Sequence, residues 1–150
     1  MAQNIIDTLK QEHELVLSIF SELAAKGISG RSQKYESLKE NLMPHILGEE
    51  EVLYPRLKED PDMRDLSFEA VEEHSAVKTL LSQLDSVSTS DEEVWVAKLK
   101  VIQENVKQHI SEEEGDIFSK MQQKMSSDEL SNLNSQYEES KKAVMPVAAR

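Results

Sequence analysis

Histidine and glutamate recur in this chain at a spacing that brings them to one face of a helix. Two of the four histidines are followed one helical turn later by a glutamate. Four residues turn an α-helix through about 400°, so each such pair shares a face. Imidazole and carboxylate groups that converge in this way are ligands for metal ions. The six residues of the pattern are His13, His45, Glu49, His74, His109 and Glu113.

The types of side chain in this pattern limit which metal ions the site could bind. The sequence has no cysteine, which excludes a Cys-based zinc site, an iron–sulfur cluster and disulfides. Imidazole with carboxylate suits iron, manganese or zinc, whereas calcium and magnesium prefer oxygen ligands alone. The six groups are too many for one tetrahedral zinc ion. They suit two metal ions bridged by Glu49 and Glu113, each with two histidines and a position open for water or a diatomic molecule.

Each part of this pattern also has an ordinary structural explanation. A histidine on an apolar helix face is more often a core residue than a ligand, and a glutamate four residues later is often half of a surface pair. The joint occurrence favours a metal, because every predicted helix of the bundle carries one inward histidine. Carboxylates without partners in a core cost on the order of several kcal/mol, which a bound cation offsets.

The composition favours a single α-helical domain. The chain has 150 residues, a length that suits one domain. With 4 glycines and 4 prolines, it has little material for a turn-rich β architecture. We expect residues 1–125 to form the main bundle, and residues 126–150 to add a short helix and a flexible tail to the same domain.

Charge and hydropathy indicate which partners to expect. The formal net charge of -12 opposes binding to nucleic acid or to an anionic membrane, because both attract basic surfaces. The sequence lacks an apolar run of about 18 residues, and its first residues do not resemble a signal peptide. A cytoplasmic protein is therefore expected, with neither nucleic acid nor membrane as a partner. The oligomeric state is left open.

Apolar positions with helical period predict four long helices and a short fifth one. They begin near Asn4, Ser32, Ser67, Ser90 and Ser126. Asn4 is placed to cap the first helix, and the last two starts carry serine–glutamate capping boxes. In an antiparallel up-down-up-down bundle, the six candidate ligands lie about 10 to 22 Å from one shared end. The predicted fold is thus all-α, an antiparallel four-helix bundle with a short C-terminal helix.

The second predicted helix contains a proline, a glycine and a tyrosine near its candidate ligands. Pro44 and Gly48 lie inside it, where proline costs roughly 3 kcal/mol and glycine about 1. Either the helix tolerates a kink, or the kink aims His45 and Gly48 clears space. Tyr54 is expected to pack with its hydroxyl at the end of the bundle; the alternative is that it lines access to the metals or donates a proton.

The arrangement resembles the hemerythrin-like, or HHE cation-binding, family over roughly residues 5–122. The resemblance rests on His13 and on the segments HILGEEEVLYP, EEHSAVKTLL and HISEEEGDIF. It implies a non-haem centre of two iron ions with an oxo or hydroxo bridge. Glu49 and Glu113 would bridge the irons, and the four histidines would be terminal ligands.

Two departures from the oxygen-carrying hemerythrins bear on function. Those proteins have a fifth histidine one turn before the position of His74, where this chain has Ala70. Their second bridging acid is an aspartate at the position of Glu114, which makes Glu114 an alternative ligand. With one imidazole fewer, a metal is more open, or it recruits water or another acid such as Glu73 or Glu50. Simple reversible oxygen carriage is therefore less expected.

Three functions are compatible with such a centre. The leading hypothesis is a binding protein for dioxygen or a related small molecule, in storage, delivery or sensing. The alternatives are a di-iron enzyme acting on peroxide or nitric oxide, and a protein that stores or buffers iron. The acidic runs 49–51 and 112–114 could give ferrous ions an entry route. A purely structural bundle would bind no metal at all.

Overall fold

The computed structural model describes residues 3–144, and these residues are helical apart from short connections. The described range contains no strand, which confirms the all-α prediction. None of its helices is both long and apolar enough to cross a membrane. The predicted flexible tail lies in residues 145–150, outside the described residues. The elements are α1 (Ile5–Ala24), α2 (Arg31–Gly48), π1 (Glu49–Leu53), α3 (Tyr54–Leu57), α4 (Arg64–Asp85), α5 (Glu92–Glu112), π2 (Glu113–Ile117), α6 (Phe118–Lys124) and α7 (Ser127–Val144).

Two short π-helical segments interrupt the regular helices without breaking them. π1 joins α2 directly to α3, and π2 joins α5 directly to α6. In each, a backbone N–H donates to a carbonyl five residues earlier, from Tyr54 to Glu49 and from Phe118 to Glu113. Because this turn is wider than an α-helical one, the residue five positions after the glutamate lies close to the same face of the helix as the glutamate. The sequence analysis predicted regular helices here and missed both segments.

Three hydrogen bonds join the ends of four long helices on one side of the protein. The Gly27 N–H, after α1, donates to the Glu92 carboxylate at the start of α5 (3.0 Å). Arg31, which begins α2, donates to the same carboxylate (2.9 Å). The Tyr35 hydroxyl of α2 donates to Asp85 at the end of α4 (2.7 Å). The end of α1, the start of α2, the end of α4 and the start of α5 therefore lie together.

Two apolar clusters fill the interior. The first packs around Trp95, and the second packs around Tyr54. Along α1, Leu9 belongs to the second cluster and Val16 to the first, so that His13 lies between them. The candidate ligands thus occupy a polar layer between two apolar ones.

Two of the predicted helix caps are confirmed. The Asn4 carboxamide oxygen accepts the backbone N–H of Asp7 (2.9 Å) at the start of α1. The Ser126 hydroxyl accepts the backbone N–H of Glu129 (3.1 Å) at the start of α7. Each bond satisfies one of the free N–H groups that a helix start leaves.

The predicted capping box at Ser90 is wrong, and the helix predicted to begin near Ser67 begins one turn earlier. Ser90 does not cap α5, because its hydroxyl contacts Ser88 Oγ (2.7 Å) and the helix begins at Glu92. The tertiary contacts of Glu92 replace the local capping box there. Ser67 lies one turn inside α4, which begins at Arg64.

The packing of α7 explains why α2 has a glycine at position 48. α7 is longer than the short helix expected, and it packs against α1, α2 and π1. A Cβ at Gly48 would lie 2.6 Å from Cε2 of Tyr137. Gly48 therefore clears space for a ring of α7. Pro44 is buried inside α2, and the helix continues through it.

Candidate metal centre

The six residues singled out by the sequence meet in one buried layer. Their exposed fractions lie between 0% and 7%. They form two groups that share Glu49, and in each group the potential ligand atoms lie within 4.8 Å of one another. The first group is His13, His45, Glu49 and Glu113, and the second is Glu49, His74 and His109.

Glu49 connects the two groups. Its Oε1 lies 3.2 Å from Nε2 of His45 in the first group. The same oxygen lies 3.2 Å from Nε2 of His74 in the second. One carboxylate on π1 therefore faces a histidine from α2 and a histidine from α4.

Glu113 occupies the equivalent position on π2. Its Oε1 lies 3.2 Å from Nε2 of His13, and its Oε2 lies 3.4 Å from Nε2 of His109. Each of its oxygens thus faces a different group. The neighbouring Glu114 stays outside the layer, with its side chain 34% exposed and Oε2 at 2.7 Å from Nδ1 of His13. The structure therefore brings Glu113, and not Glu114, to the inner nitrogens.

Every histidine of the layer turns Nε2 inward and Nδ1 outward to a second carboxylate. A carboxylate at Nδ1 keeps a proton there, so that Nε2 is the nitrogen that faces the layer and would bind a metal ion once its own proton is displaced. Glu50 and Glu73, which the sequence offered as extra ligands, occupy such outer positions. The pairs are His13 with Glu114 (2.7 Å), His45 with Glu12 (2.8 Å), His74 with Glu50 (2.9 Å) and His109 with Glu73 (2.7 Å).

The outer carboxylates can be identified in the sequence by their position next to the inner residues. Each is the chain neighbour of an inner residue: Glu12 and Glu73 precede histidines, and Glu50 and Glu114 follow glutamates. Neighbours on a helix point about 100° apart, so each of them faces the adjoining helix and not its own site. Glutamates beside predicted ligands are therefore candidates for orienting the next histidine.

Tyr54 lies at the centre of the layer, contrary to the favoured prediction. Its hydroxyl donates to Oε2 of Glu113 (2.5 Å) and lies 3.2 Å from Oε1 of Glu49. It is also 3.4 Å from Nε2 of both His74 and His109. The π1 segment causes this, because a regular helix would turn residue 54 away from residue 49. Burial and then the two carboxylates raise the pKa of Tyr54, so the phenol keeps its proton.

Phe118 is the counterpart of Tyr54 on π2. It lies five residues after Glu113, and its ring is parallel to that of His13, with the centroids 6.1 Å apart. The group that contains His13 is therefore flanked by a benzene ring, while the group that contains His74 is flanked by a phenol. The two halves of the layer are related in sequence but differ in chemistry.

The carboxylates of the layer favour the protonated imidazoles of His45 and His109. Burial lowers the pKa of His45, but Glu49 and Glu12 outweigh it and raise that pKa to about 10. Burial likewise lowers the pKa of His109, but its two carboxylate partners raise it to about 11. Burial raises the pKa of Glu12, but hydrogen bonds from His45 and two α7 side chains lower it to about 2. Protons and metal ions therefore compete for the same place.

The polar atoms of the layer fit a bound cation. Among residues 3–144, three of its buried atoms make no hydrogen bond: Oε2 of Glu49, and Nε2 of His13 and Oε1 of Glu113, which lie 3.2 Å apart but are not aligned for a hydrogen bond to each other. Leaving such an atom unpaired costs about 1–3 kcal/mol, which makes orphaned groups rare in folded proteins. All three belong to the first group, where a metal ion would be bound through them.

A small apolar cavity adjoins the four imidazoles. The space open to water-sized molecules is about 20 Å³, and a single water needs about 10–15 Å³. Apart from the histidines, its walls are hydrocarbon, which favours a small uncharged molecule over an anion. The apolar residues of the wall are Val16, Leu42, Ile46, Val77, Val106 and Ile110.

A family model and a related protein match most of this chain. Residues 4–121 match the family model described as Hemerythrin HHE cation binding domain. The chain is 28% identical over 142 residues to a protein named DNA nickase from Nostoc sp.. That match covers 94% of this chain but 40% of the relative, so the chain spans less than half of the relative's length.

A solved structure shows the same fold. It is the crystal structure of a Hemerythrin HHE cation binding domain-containing protein, the Rv2633c homolog from Mycobacterium kansasii. The TM-score is 0.78, with 94% of this chain and 89% of that chain covered. At 21% identity, this likeness is evidence for the fold alone.

Proposed function

Because this chain belongs to the hemerythrin HHE cation-binding family, we propose that it is a non-haem di-iron protein that binds dioxygen or a related small molecule. The observation that carries the proposal is the set of three buried atoms that make no hydrogen bond: Oε2 of Glu49, together with Nε2 of His13 and Oε1 of Glu113, which face each other. A layer with only a structural role would pair or exclude such atoms.

The ligands divide between two ions. His13 and His45 would bind one ion, and His74 and His109 would bind the other. Glu49 and Glu113 would bridge them, which is supported because each carboxylate faces one histidine of each pair. Iron is preferred because carboxylate-bridged pairs inside helix bundles are characteristic of di-iron proteins, whereas zinc has no redox chemistry.

The proposed architecture is an antiparallel up-down-up-down bundle of four helices with α7 as a fifth helix. The four would be α1, α2 with π1 and α3, α4, and α5 with π2 and α6. The contacts of Gly27 and Arg31 with Glu92, and of Tyr35 with Asp85, support the alternating directions. Residues 1–125 would form the bundle, with residues 126–150 belonging to the same domain.

The residues around the centre define its chemistry. Bound iron would supply an open coordination position and a change of oxidation state. The hydrocarbon wall of the cavity admits a small neutral molecule and disfavours anions. Tyr54 holds its proton within hydrogen-bond distance of Glu113 and directs it into the layer.

Tyr54 also favours a second candidate function, a di-iron enzyme that acts on peroxide or nitric oxide. Such chemistry develops negative charge on the reacting oxygen, and a buried phenol that keeps its proton can stabilise this charge by donating a hydrogen bond. Ala70, in place of a fifth histidine, adds no ligand and is buried in the apolar cluster around Tyr54. Storage of iron is the third alternative, and it predicts uptake well beyond two ions per chain.

Iron binding and its spectrum test these functions. Protein loaded with ferrous iron under anaerobic conditions should hold two ions per chain and develop a charge-transfer band when oxygen is admitted. If the band disappears when oxygen is removed, the protein binds oxygen reversibly. A band that decays to an oxidised spectrum indicates redox chemistry, and the lack of any iron-dependent band would reject the di-iron proposal.

The relative named DNA nickase calls for a separate test of nucleic acid as a partner. The net charge of -12 argues against DNA binding, because DNA recruits basic surfaces. Our proposal is that this chain alone does not bind DNA. A mobility-shift assay and a plasmid-nicking assay, each with and without iron, test it; a salt-dependent shift or nicked plasmid would contradict it.

A further inference from the structure

The network around the centre continues into a helix that lies beyond the residues matched by the family model. We propose that Tyr137 and Lys141 of α7 are positioning residues of the metal centre. They hold Glu12 against the outer nitrogen of His45 and thereby set how tightly His45 binds its ion. This inference rests on the proposed function, since it concerns one of the proposed ligands.

Glu12 is the point where α7 meets the centre. Its Oε1 accepts hydrogen bonds from Nδ1 of His45 (2.8 Å) and from the Tyr137 hydroxyl (2.5 Å). Its Oε2 accepts a hydrogen bond from Lys141 Nζ. The Tyr137 hydroxyl also lies 3.2 Å from Nδ1 of His45. Both carboxylate oxygens of Glu12 are therefore fixed by α7, and one of them binds the histidine.

The position of Tyr137 leaves little freedom. Its side chain is fully buried, and its ring stands edge-on to that of His45 at an interplanar angle of 83°. The ring also lies so close to Gly48 that an added Cβ would clash at 2.6 Å. Gly48 comes between His45 and Glu49 in α2, so α7 packs on the turn that carries two proposed ligands.

The other outer carboxylates lack this support from α7. Glu50, the partner of His74, is held by Lys78, which lies on the same helix as His74 (2.9 Å). Glu114, the partner of His13, is 34% exposed, compared with 22% for Glu12. Perturbing α7 should therefore affect the ion at His45 without affecting the ion at His74.

A carboxylate at Nδ1 orients an imidazole and makes it a better donor to a metal. Changing such an outer partner typically lowers metal affinity by about 10–100-fold. Tyr137→Phe removes the hydrogen bond to Glu12 but keeps the ring that packs on Gly48. We expect release of one iron to a chelator to accelerate about tenfold in this variant, and Glu12→Gln to accelerate release of the same iron at least as much.

Mössbauer spectroscopy of ⁵⁷Fe-loaded diferrous protein identifies which ion responds. Because one group faces Phe118 and the other faces Tyr54, the two irons should give different doublets. Tyr137→Phe and Glu12→Gln should change the same doublet, while Glu50→Gln should change the other. Ser140→Ala is the matched control on α7, because this hydroxyl donates to Glu51 outside the network; it should match the wild type.

Lys141→Met separates positioning from charge. Removing a nearby positive charge should strengthen cation binding if electrostatics alone matters, whereas loss of positioning should weaken it. Looser binding at the same ion supports the inference, and tighter binding overturns it. It is also overturned if Tyr137→Phe leaves release and spectrum unchanged, or if it alters both doublets equally. Wild-type protein that binds no iron would instead reject the proposed function.

Discussion

Glu114 lies 2.7 Å from Nδ1 of His13 and closes a ring of carboxylate–histidine contacts around the interior. Each of the four outer glutamates contacts a histidine that lies on the next helix of the bundle. The ring runs from Glu12 of α1 to His45, from Glu50 of π1 to His74, from Glu73 of α4 to His109, and from Glu114 of π2 to His13.

The ring has a consequence for assembly of the site. A histidine on one helix is oriented by a residue on its neighbour, so the four Nε2 atoms face the layer only when all helices have docked. Metal binding and packing are therefore coupled, and bound metal should stabilise the fold by mass action.

Substituting the two adjacent glutamates of π2 separates inner from outer roles. Glu113→Gln removes a carboxylate that faces His13 and His109, so we expect it to reduce iron content well below two per chain. Glu114→Gln changes only the outer partner of His13, so two ions should still bind, with affinity lowered about 10–100-fold. Iron content after gel filtration, with circular dichroism as a check on folding, measures both.

These two variants form a matched pair, because they make the same chemical change at neighbouring residues. If Glu114→Gln loses iron while Glu113→Gln retains it, Glu114 is the metal ligand and Glu113 is not. Equal retention by both would exclude a bridging role for either.

Tyr54→Phe tests the phenol within the layer. Phe118 occupies the equivalent place on π2, so a phenylalanine fits at position 54, and we expect normal folding and two irons per chain. If the phenol stabilises the reacting peroxide oxygen by a hydrogen bond, the reaction of diferrous protein with hydrogen peroxide should slow by about 10²-fold or more. Stopped-flow absorbance follows this reaction.

Tyr35→Phe is the control for loss of a buried hydroxyl. Tyr35, near the start of α2, donates to Asp85 at the end of α4 and does not contact the layer. It should lose about 1 kcal/mol of stability with no change in the peroxide reaction. Equal rates in Tyr54→Phe and the wild type would show that the hydrogen bond from Tyr54 does not assist the reaction.

Periodicity predicted the helices and the inner residues of the layer, but not everything that completes it. His45 and Glu49 share a face of any regular helix, so their pairing follows from spacing alone. The position of Tyr54 depends on a π-helical turn that no residue type in EEEVL marks. The role of Gly48 depends on where α7 docks, which is decided by tertiary packing. Local patterns do not report such contacts.

The pH dependence of metal-free stability follows from the layer's charges. The pKa of His45 rises from 6.5 to about 10, so its contribution is full below pH 6.5 and is lost as pH rises towards 10. The pKa of Glu12 falls from 4.5 to about 2, so its contribution is full above pH 4.5 and is lost as pH falls towards 2. Metal-free protein should therefore be most stable between about pH 4.5 and 6.5.

Thermal unfolding by circular dichroism between pH 3 and 10 measures this dependence. Iron-loaded protein should keep its Tm above pH 6.5, because metal-bound imidazoles no longer depend on protons for charge. A metal-free Tm that rises steadily from pH 6 to 9 would contradict the proposed exchange of protons for metal.

Gly48→Ala and Gly115→Ala give opposite expectations for the same substitution. Alanine is favoured over glycine inside a helix by about 1 kcal/mol. At Gly48, the new Cβ would lie 2.6 Å from Cε2 of Tyr137 and 3.3 Å from Cγ of Lys141, so overpacking should outweigh this gain and destabilise the protein by about 1–3 kcal/mol. At Gly115, no described atom beyond its chain neighbours and its own helix backbone lies within 4 Å of the new Cβ, so the stability should stay level or rise. Urea unfolding of the metal-free variants compares them directly, and a stabilised Gly48→Ala would show that α7 does not pack on this turn as described.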